Sequence, residues 1–256
     1  MRIWYQSSLD VEANPVFKPY QKSLEQNAAE AARPGNVVDV YGVKQTKSYF
    51  ARSAYARYLN ATGVVSNAIR AEAEGYDAVA IGCYSDPCLL EIRDSVGIPT
   101  VFIMQTSMHF ACMLGDRFAL VGYSPPNLKR MRRLAERYGL AARLAATGCF
   151  QADLQRADEW FENPKPLIEG FTREAAVCVE KGADALIPCC GIVNQVLRNN
   201  GVRSVNGVPV LDGSTLLIKI TEAMAELHKL TGLTTKNPHV TADVLRKIQA
   251  DPMPAY

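Results

Sequence analysis

A mainly parallel α/β fold in two similar lobes is predicted by three observations. Short apolar runs alternate with helical patterns from end to end, glycines stop the helices, and one segment repeats another at an offset of 107 residues (190 minus 83). The apolar runs at 2–5, 37–41, 78–81, 100–103, 118–121, 143–146, 185–187 and 208–211 read as strands. Several are nearly continuous, as strands covered on both faces are. The helical pattern at 16–32 is stopped by Pro34-Gly35, 49–74 by Gly75, 88–96 by Gly97, 126–138 by Gly139 and 167–181 by Gly182. Further helices are read at 192–200 and 214–230. Beyond Gly232 the chain is polar, with one short helix at 241–250 and a Pro-rich end at 251–256 that packs on a neighbour or frays.

The repeat fixes the architecture. Gly75-Tyr76-Asp77-Ala78-Val79-Ala80-Ile81-Gly82-Cys83 aligns with Gly182-Ala183-Asp184-Ala185-Leu186-Ile187-Pro188-Cys189-Cys190, and Gly97-Ile98-Pro99-Thr100-Val101 echoes Gly207-Val208-Pro209-Val210-Leu211. Residues 1–112 with 213–256 are expected to form one lobe and 113–212 the other. Each repeat reads as helix, glycine stop, buried strand, then a cysteine where the strand emerges, which in an open α/β sheet is the end where ligands bind. If the lobes face each other across a cleft, Cys83 and Cys190 approach one ligand from opposite sides. Asp77 and Asp184 open the same strands at the far end and read as turn residues.

Composition narrows the function. The 256 residues are 48% apolar and 21% charged, and Lys+Arg 28 against Asp+Glu 26 leaves a net charge of +2. That balance excludes a polybasic nucleic-acid or lipid-surface role, because counterion release needs clustered positive charge. No run of about 18 apolar residues exists to span a membrane. The first residues lack a secretory pattern, so a cytoplasmic location is expected, with the seven cysteines as thiols.

Two thiols flanking a stereogenic C–H carbon allow one thiolate to take the proton while the opposite thiol delivers another to the far face. The expected partner is a small molecule with an acidic C–H beside a carbonyl. Ser85 or Asp86 followed by Pro87 reads as a helix start just past Cys83, whose unpaired N–H groups would favour the thiolate; the signal after Cys190 is weaker. Backbone N–H groups at Tyr84, Ser85, Gly191 and Ile192, and the hydroxyls of Ser7 and Ser124, are candidates to hold an enolate oxygen. This chemistry requires no cofactor.

These residues resemble the Asp/Glu/hydantoin racemase superfamily, most closely its hydantoin racemase branch. The resemblance runs through 77–83 with Tyr84-Ser85-Asp86-Pro87, Gly115-Asp116-Arg117-Phe118, 184–191 and Val208-Pro209-Val210-Leu211-Asp212-Gly213, and covers most of residues 1–230. It implies a two-lobed α/β fold, cofactor-independent racemisation or epimerisation, and a catalytic pair at Cys83 and Cys190. Cys189 stands where the family usually has glycine and is read as pocket wall. The first strand ends in Gln6-Ser7-Ser8 in place of an Asn-Pro-Asn-like turn, which places Gln6 and Ser7 among the substrate-binding candidates. Gly191 replaces the threonine common in amino-acid racemases, which favours a cyclic ureide such as a 5-substituted hydantoin.

Other features take plainer readings. Cys88, Cys112, Cys149 and Cys178 read as core, and His109, His228 and His239 are too scattered for a metal site. Lys129-Arg130 and Arg132-Arg133 read as a solvated helix face or subunit contact, Asp212 and Ser214 as helix caps. Tyr49, Phe50, Tyr55 and Tyr58 suggest the face of a homo-oligomer. Two alternatives share the fold: a single-cysteine decarboxylase, cis-trans isomerase or ring-opening hydrolase, and a non-catalytic two-lobed binding module.

Overall fold

The structure, a computed structural model, describes residues 1–44 and 53–250. Strands β1 (Arg2–Gln6), β2 (Val37–Tyr41), β3 (Ala78–Ile81) and β4 (Thr100–Phe102) form a parallel sheet in the order β2-β1-β3-β4. Strands β5 (Phe118–Gly122), β6 (Leu144–Cys149) and β7 (Ala185–Pro188) form a second parallel sheet in the order β6-β5-β7. Val210 adds a parallel bridge to Leu186, in the place that β4 holds beside β3. The sequence repeat is therefore a repeat of strand order, and the predicted two-lobed α/β architecture is what the chain adopts.

Repetition has a physical cause at the far edge from the cysteines. The N–H of Asp77 donates to Arg2 O (2.8 Å) and its carboxylate accepts from the Arg2 N–H (2.7 Å). Asp184 does the same with Arg117, at 2.7 and 2.9 Å. Each aspartate thus clamps the start of its strand to the lobe's central strand. The glycine two residues earlier, Gly75 at φ 75° and Gly182 at φ 84°, ends the preceding helix in the left-handed conformation that other residues disfavour.

Helices α1 (Lys18–Ala31), α2 (Ala54–Ala73) and α3 (Leu89–Ser95) belong to the first repeat, and α4 (Ile103–Leu114) leads into the second. There α5 (Pro125–Arg137), the single turn α6 (Glu159–Glu162), α7 (Lys165–Glu180) and α8 (Gly191–Asn199) follow. Helix α9 (Gly213–Thr231) returns to pack on β1, β3 and β4, and α10 (Ala242–Ala250) closes the described chain. Strands β3, β5 and β7 are wholly buried, as their continuous apolar runs require. No helix of the described residues is long and apolar enough to cross a membrane.

Several expected boundaries move for local reasons. The run at 100–103 yields its last residue to α4, which begins at Ile103. Of 208–211, only Val208–Pro209 pairs as a strand, β9, antiparallel to β8 (Ser204–Val205), because Asn206 and Gly207 both take positive φ and close a hairpin. The helix read at 49–74 begins at Ala54, where the Ser53 hydroxyl accepts the Ala56 N–H (3.2 Å). Tyr49 and Phe50 lie outside the described residues, while Tyr55 and Tyr58 stand exposed on the first turns of α2.

Candidate active site

Both repeat cysteines line one cavity. Cys83 follows Gly82 at the end of β3, and Cys190 follows Cys189 at the end of β7. The two loops approach closely: a Cβ on Gly191 would sit 3.4 Å from Gly82 O and 2.4 Å from the hydroxyl of buried Tyr20. A Cβ on Gly82 would meet the Tyr5 ring at 2.4 Å. Glycine at both positions is what lets the two strand ends and the α1 tyrosine converge.

The helix-start environment sits at the second cysteine, where the sequence signal was weaker. Cys190 is the residue preceding α8, in extended backbone, where the backbone N–H groups of Ile192 and Val193 at the helix start favour its thiolate. Cys83 has no such helix. Asp86 and Cys88 take positive φ, α3 starts only at Leu89, and the Cys83 sulfur lies 3.1 Å from the Ser85 hydroxyl. The expected cap residue Asp86 serves a different helix: its carboxylate accepts the N–H groups of Met104 (3.0 Å) and Gln105 (2.7 Å) at the start of α4, and the Tyr138 hydroxyl (2.6 Å). Local capping logic has no view of a helix 15 or more residues downstream.

Electrostatics around Cys190 pull in opposite directions. Burial pushes the thiol up to about 11, while the two α8 N–H groups and the Arg130 charge draw it down and the Cys83 charge pushes it up. An influence of Cys83 on Cys190 is what two sulfurs at one cavity produce. Cys189 is 2% exposed, its thiol donates to Ile187 O at 3.5 Å, and burial raises its pKa strongly. It is a wall residue by those properties.

Of the substrate-binding candidates, Ser7, Tyr84, Ser85, Cys189, Gly191 and Ile192 line the cavity. Gln6 and Ser124 do not appear in its wall. The Gln6 side chain accepts from Trp4 Nε1 (2.8 Å) and donates to Ser7 O (2.7 Å), consumed within the lobe. The Ser124 hydroxyl caps α5 by accepting the Asn127 N–H (3.4 Å). The Tyr84 hydroxyl points away into the protein, donating to Asn194 Oδ1 (3.0 Å) on α8, which also accepts the Gly213 N–H (2.8 Å). Asn194 in turn donates to Asp212 Oδ1 (2.9 Å), the residue that caps α9. These buried bonds tie the Cys83 loop, the Cys190 helix and α9 into one unit.

Sequence reasoning missed Ser8, Tyr20, Arg57, Tyr123, Asn127 and Arg130, all in the wall of the cavity. Arg130, read as part of a solvated helix face or subunit contact, is half-buried there beside Tyr123. A signal existed: Asn127, Arg130 and Met131 share one α5 face at i, i+3 and i+4, and all three line the cavity. For Arg57, flanked by exposed tyrosines, no pattern marks the site.

The profile of the family described as Asp/Glu/hydantoin racemase matches residues 18–221. The chain belongs to the Asp/Glu/hydantoin racemase family. Within the family, a hydantoin racemase of Pseudomonas sp. (strain NS671) is 30% identical over 215 residues, 82% of this chain and 82% of that protein. Allantoin racemase from Klebsiella pneumoniae shares the fold at a TM-score of 0.76 and 23% identity, over 96% of this chain and 93% of its own. Allantoin racemase from Pseudomonas fluorescens does so at 0.74 and 21%, over 100% and 99%. Membership makes this family chain an enzyme of the isomerase class, a racemase.

Proposed function

We propose that this racemase inverts the stereocentre of a 5-substituted hydantoin or a related cyclic ureide, with Cys83 and Cys190 alternating as base and acid. One observation carries the reading: the two thiols occupy equivalent positions of the repeat and line the same cavity. The C5–H of such a ring is acidic because the neighbouring carbonyl takes up the electron pair as an enolate. One sulfur removes the proton, the ring carbon flattens, and the other sulfur returns a proton to the opposite face. Protons and charge balance, since one thiolate becomes a thiol and one thiol a thiolate in each turnover.

Burial favours the protonated form of Cys190, the state in which it donates a proton. The α8 N–H groups and Arg130 then stabilise the thiolate left on Cys190 after donation. Backbone N–H groups of the two converging loops supply donors for the enolate oxygen. Likeness to the Pseudomonas hydantoin racemase supports the ring class.

The test is loss of optical rotation of a single hydantoin enantiomer, with solvent deuterium entering C5 in D₂O. Cys83→Ala and Cys190→Ala are each expected to lower racemisation by about 10² to 10⁴. Net consumption of substrate, or inversion that survives loss of Cys190, would instead support the single-thiol chemistry.

A further inference from the structure

We propose that a second cavity, apart from the cysteines, binds a small molecule that carries a carboxylate on an apolar body. The cavity, of about 330 Å³, lies among α3, β4, α4 and α9 and shares no wall residue with the cavity of Cys83 and Cys190. That is the size of a small-ligand site. Val101, Phe110, Met113, Ile220 and Met224 give it an apolar surface. Arg93 is its one lysine or arginine, and no aspartate or glutamate lines it among the described residues.

The polar stretch after Gly232 completes the wall. Thr235 Oγ1 accepts the Thr100 N–H (2.9 Å), and Asn237 donates through its backbone N–H to Arg93 O (3.1 Å) and through Nδ2 to Asp94 Oδ1 (2.8 Å). Those bonds hold the stretch against α3 and β4.

A guanidinium has five N–H donors, and the protein engages few of those on Arg93. Nη2 donates to Gln105 Oε1 (2.9 Å), Nε is buried with no partner, and neither Arg93 Nη1 nor Gln105 Nε2 bonds a described residue. The guanidinium also lies over the Phe102 ring, 5.5 Å from its centroid. Asp86, whose charge Arg93 feels, is engaged by the N–H groups of Met104 and Gln105 and by the Tyr138 hydroxyl. Burial disfavours the Arg93 charge, a cost to stability that an anion in the cavity would offset.

A carboxylate accepts from donors of both kinds, the charged Arg93 and the neutral Gln105 amide, while an apolar body covers Phe110, Met113, Ile220 and Met224. Inorganic phosphate suits the donors but leaves the apolar surface in water. An uncharged apolar molecule covers that surface but leaves the guanidinium unsatisfied.

The probe is 4-phenylbutyrate, compared with 4-phenylbutyramide and inorganic phosphate by isothermal titration calorimetry on the full chain. The carboxylate is expected to bind the wild-type protein about tenfold or more tightly than the amide, and phosphate more weakly than the carboxylate. Arg93→Gln is expected to remove the preference for the carboxylate over the amide. Met224→Glu, which places a negative charge on the apolar surface from α9, is expected to weaken the carboxylate by about tenfold or more. Equal binding of carboxylate and amide by the wild type, no binding of either, or a preference that survives Arg93→Gln overturns the assignment. Affinity that falls as protein concentration rises overturns it as well, because a second copy of the chain then covers this face. None of these outcomes bears on the racemisation, which is read separately by optical rotation.

Discussion

Cys190 shows how one residue is set between two opposed influences. Burial holds it protonated, with its pKa pushed up to about 11, while the N–H groups of Ile192 and Val193 lower the cost of the thiolate. Below that value the thiolate fraction grows about tenfold per pH unit. Alkylation of Cys190 by iodoacetamide, read by peptide mapping, is therefore expected to be slow at pH 7 and to accelerate continuously towards pH 11. A plateau below pH 8 would contradict this environment. At this scale the sequence disclosed the two cysteines because the repeat placed each at the same distance after an aspartate. Arg57 and Arg130 stayed hidden because they are 73 positions apart (130 minus 57) and meet only when α2 and α5 frame one cavity.

Elements were legible where local chemistry decides them. Continuous apolar runs gave the central strands, and Gly75, Gly139 and Gly182, each at positive φ, marked helix ends. They were illegible where a distant partner decides: Ser85-Asp86-Pro87 has the composition of a helix start, yet Asp86 caps α4 across space. The strand clamps carry a testable consequence. Burial raises the Asp77 pKa, but Lys229 and the Arg2 N–H outweigh it and hold the carboxylate below its ordinary value. A depressed folded-state pKa contributes stability that is present above the unfolded value and lost as pH falls below about 4. Thermal melts of Asp77→Asn should lie below wild type at pH 7 and converge with it on acidification to pH 3. A constant gap across that range would contradict the clamp's ionic character. Racemase activity at pH 7, measured below the melting range, should be little changed, because the clamp lies at the sheet edge away from the cysteines.

At the scale of the molecule, buried polar bonds hold the two repeats in register around the cavity. Asn194 joins the Cys190 helix to Tyr84 beside Cys83, and Asp86 joins the Cys83 loop to Tyr138 at the end of α5. Asp86 is 2% exposed, and burial raises its carboxyl to about 7 despite the bonds from Tyr138, Met104 and Gln105. Between the unfolded value near 4 and about 7 the folded state therefore binds more protons than the unfolded one, so stability from this group falls as pH rises through that window. Asp86→Asn removes the titration. The stability of wild type relative to this variant is expected to drop from pH 4.5 to pH 7.5, and an unchanged or rising difference would contradict the assignment. None of these bonds between repeats was visible in the sequence, since their partners are dozens of residues apart and carry no spacing pattern. The two-lobed architecture itself was visible, because strand order was duplicated along with the residues that fix it.

The central claim is that two sulfurs serve opposite faces of one carbon. It is tested most directly by offering each pure hydantoin enantiomer in D₂O to Cys83→Ala and to Cys190→Ala, with C5 deuterium and optical purity followed together. Each variant should exchange the proton of one enantiomer only, without inverting it, and the two variants should select opposite hands. Exchange of the same enantiomer by both variants, or inversion by either, would contradict opposed thiols.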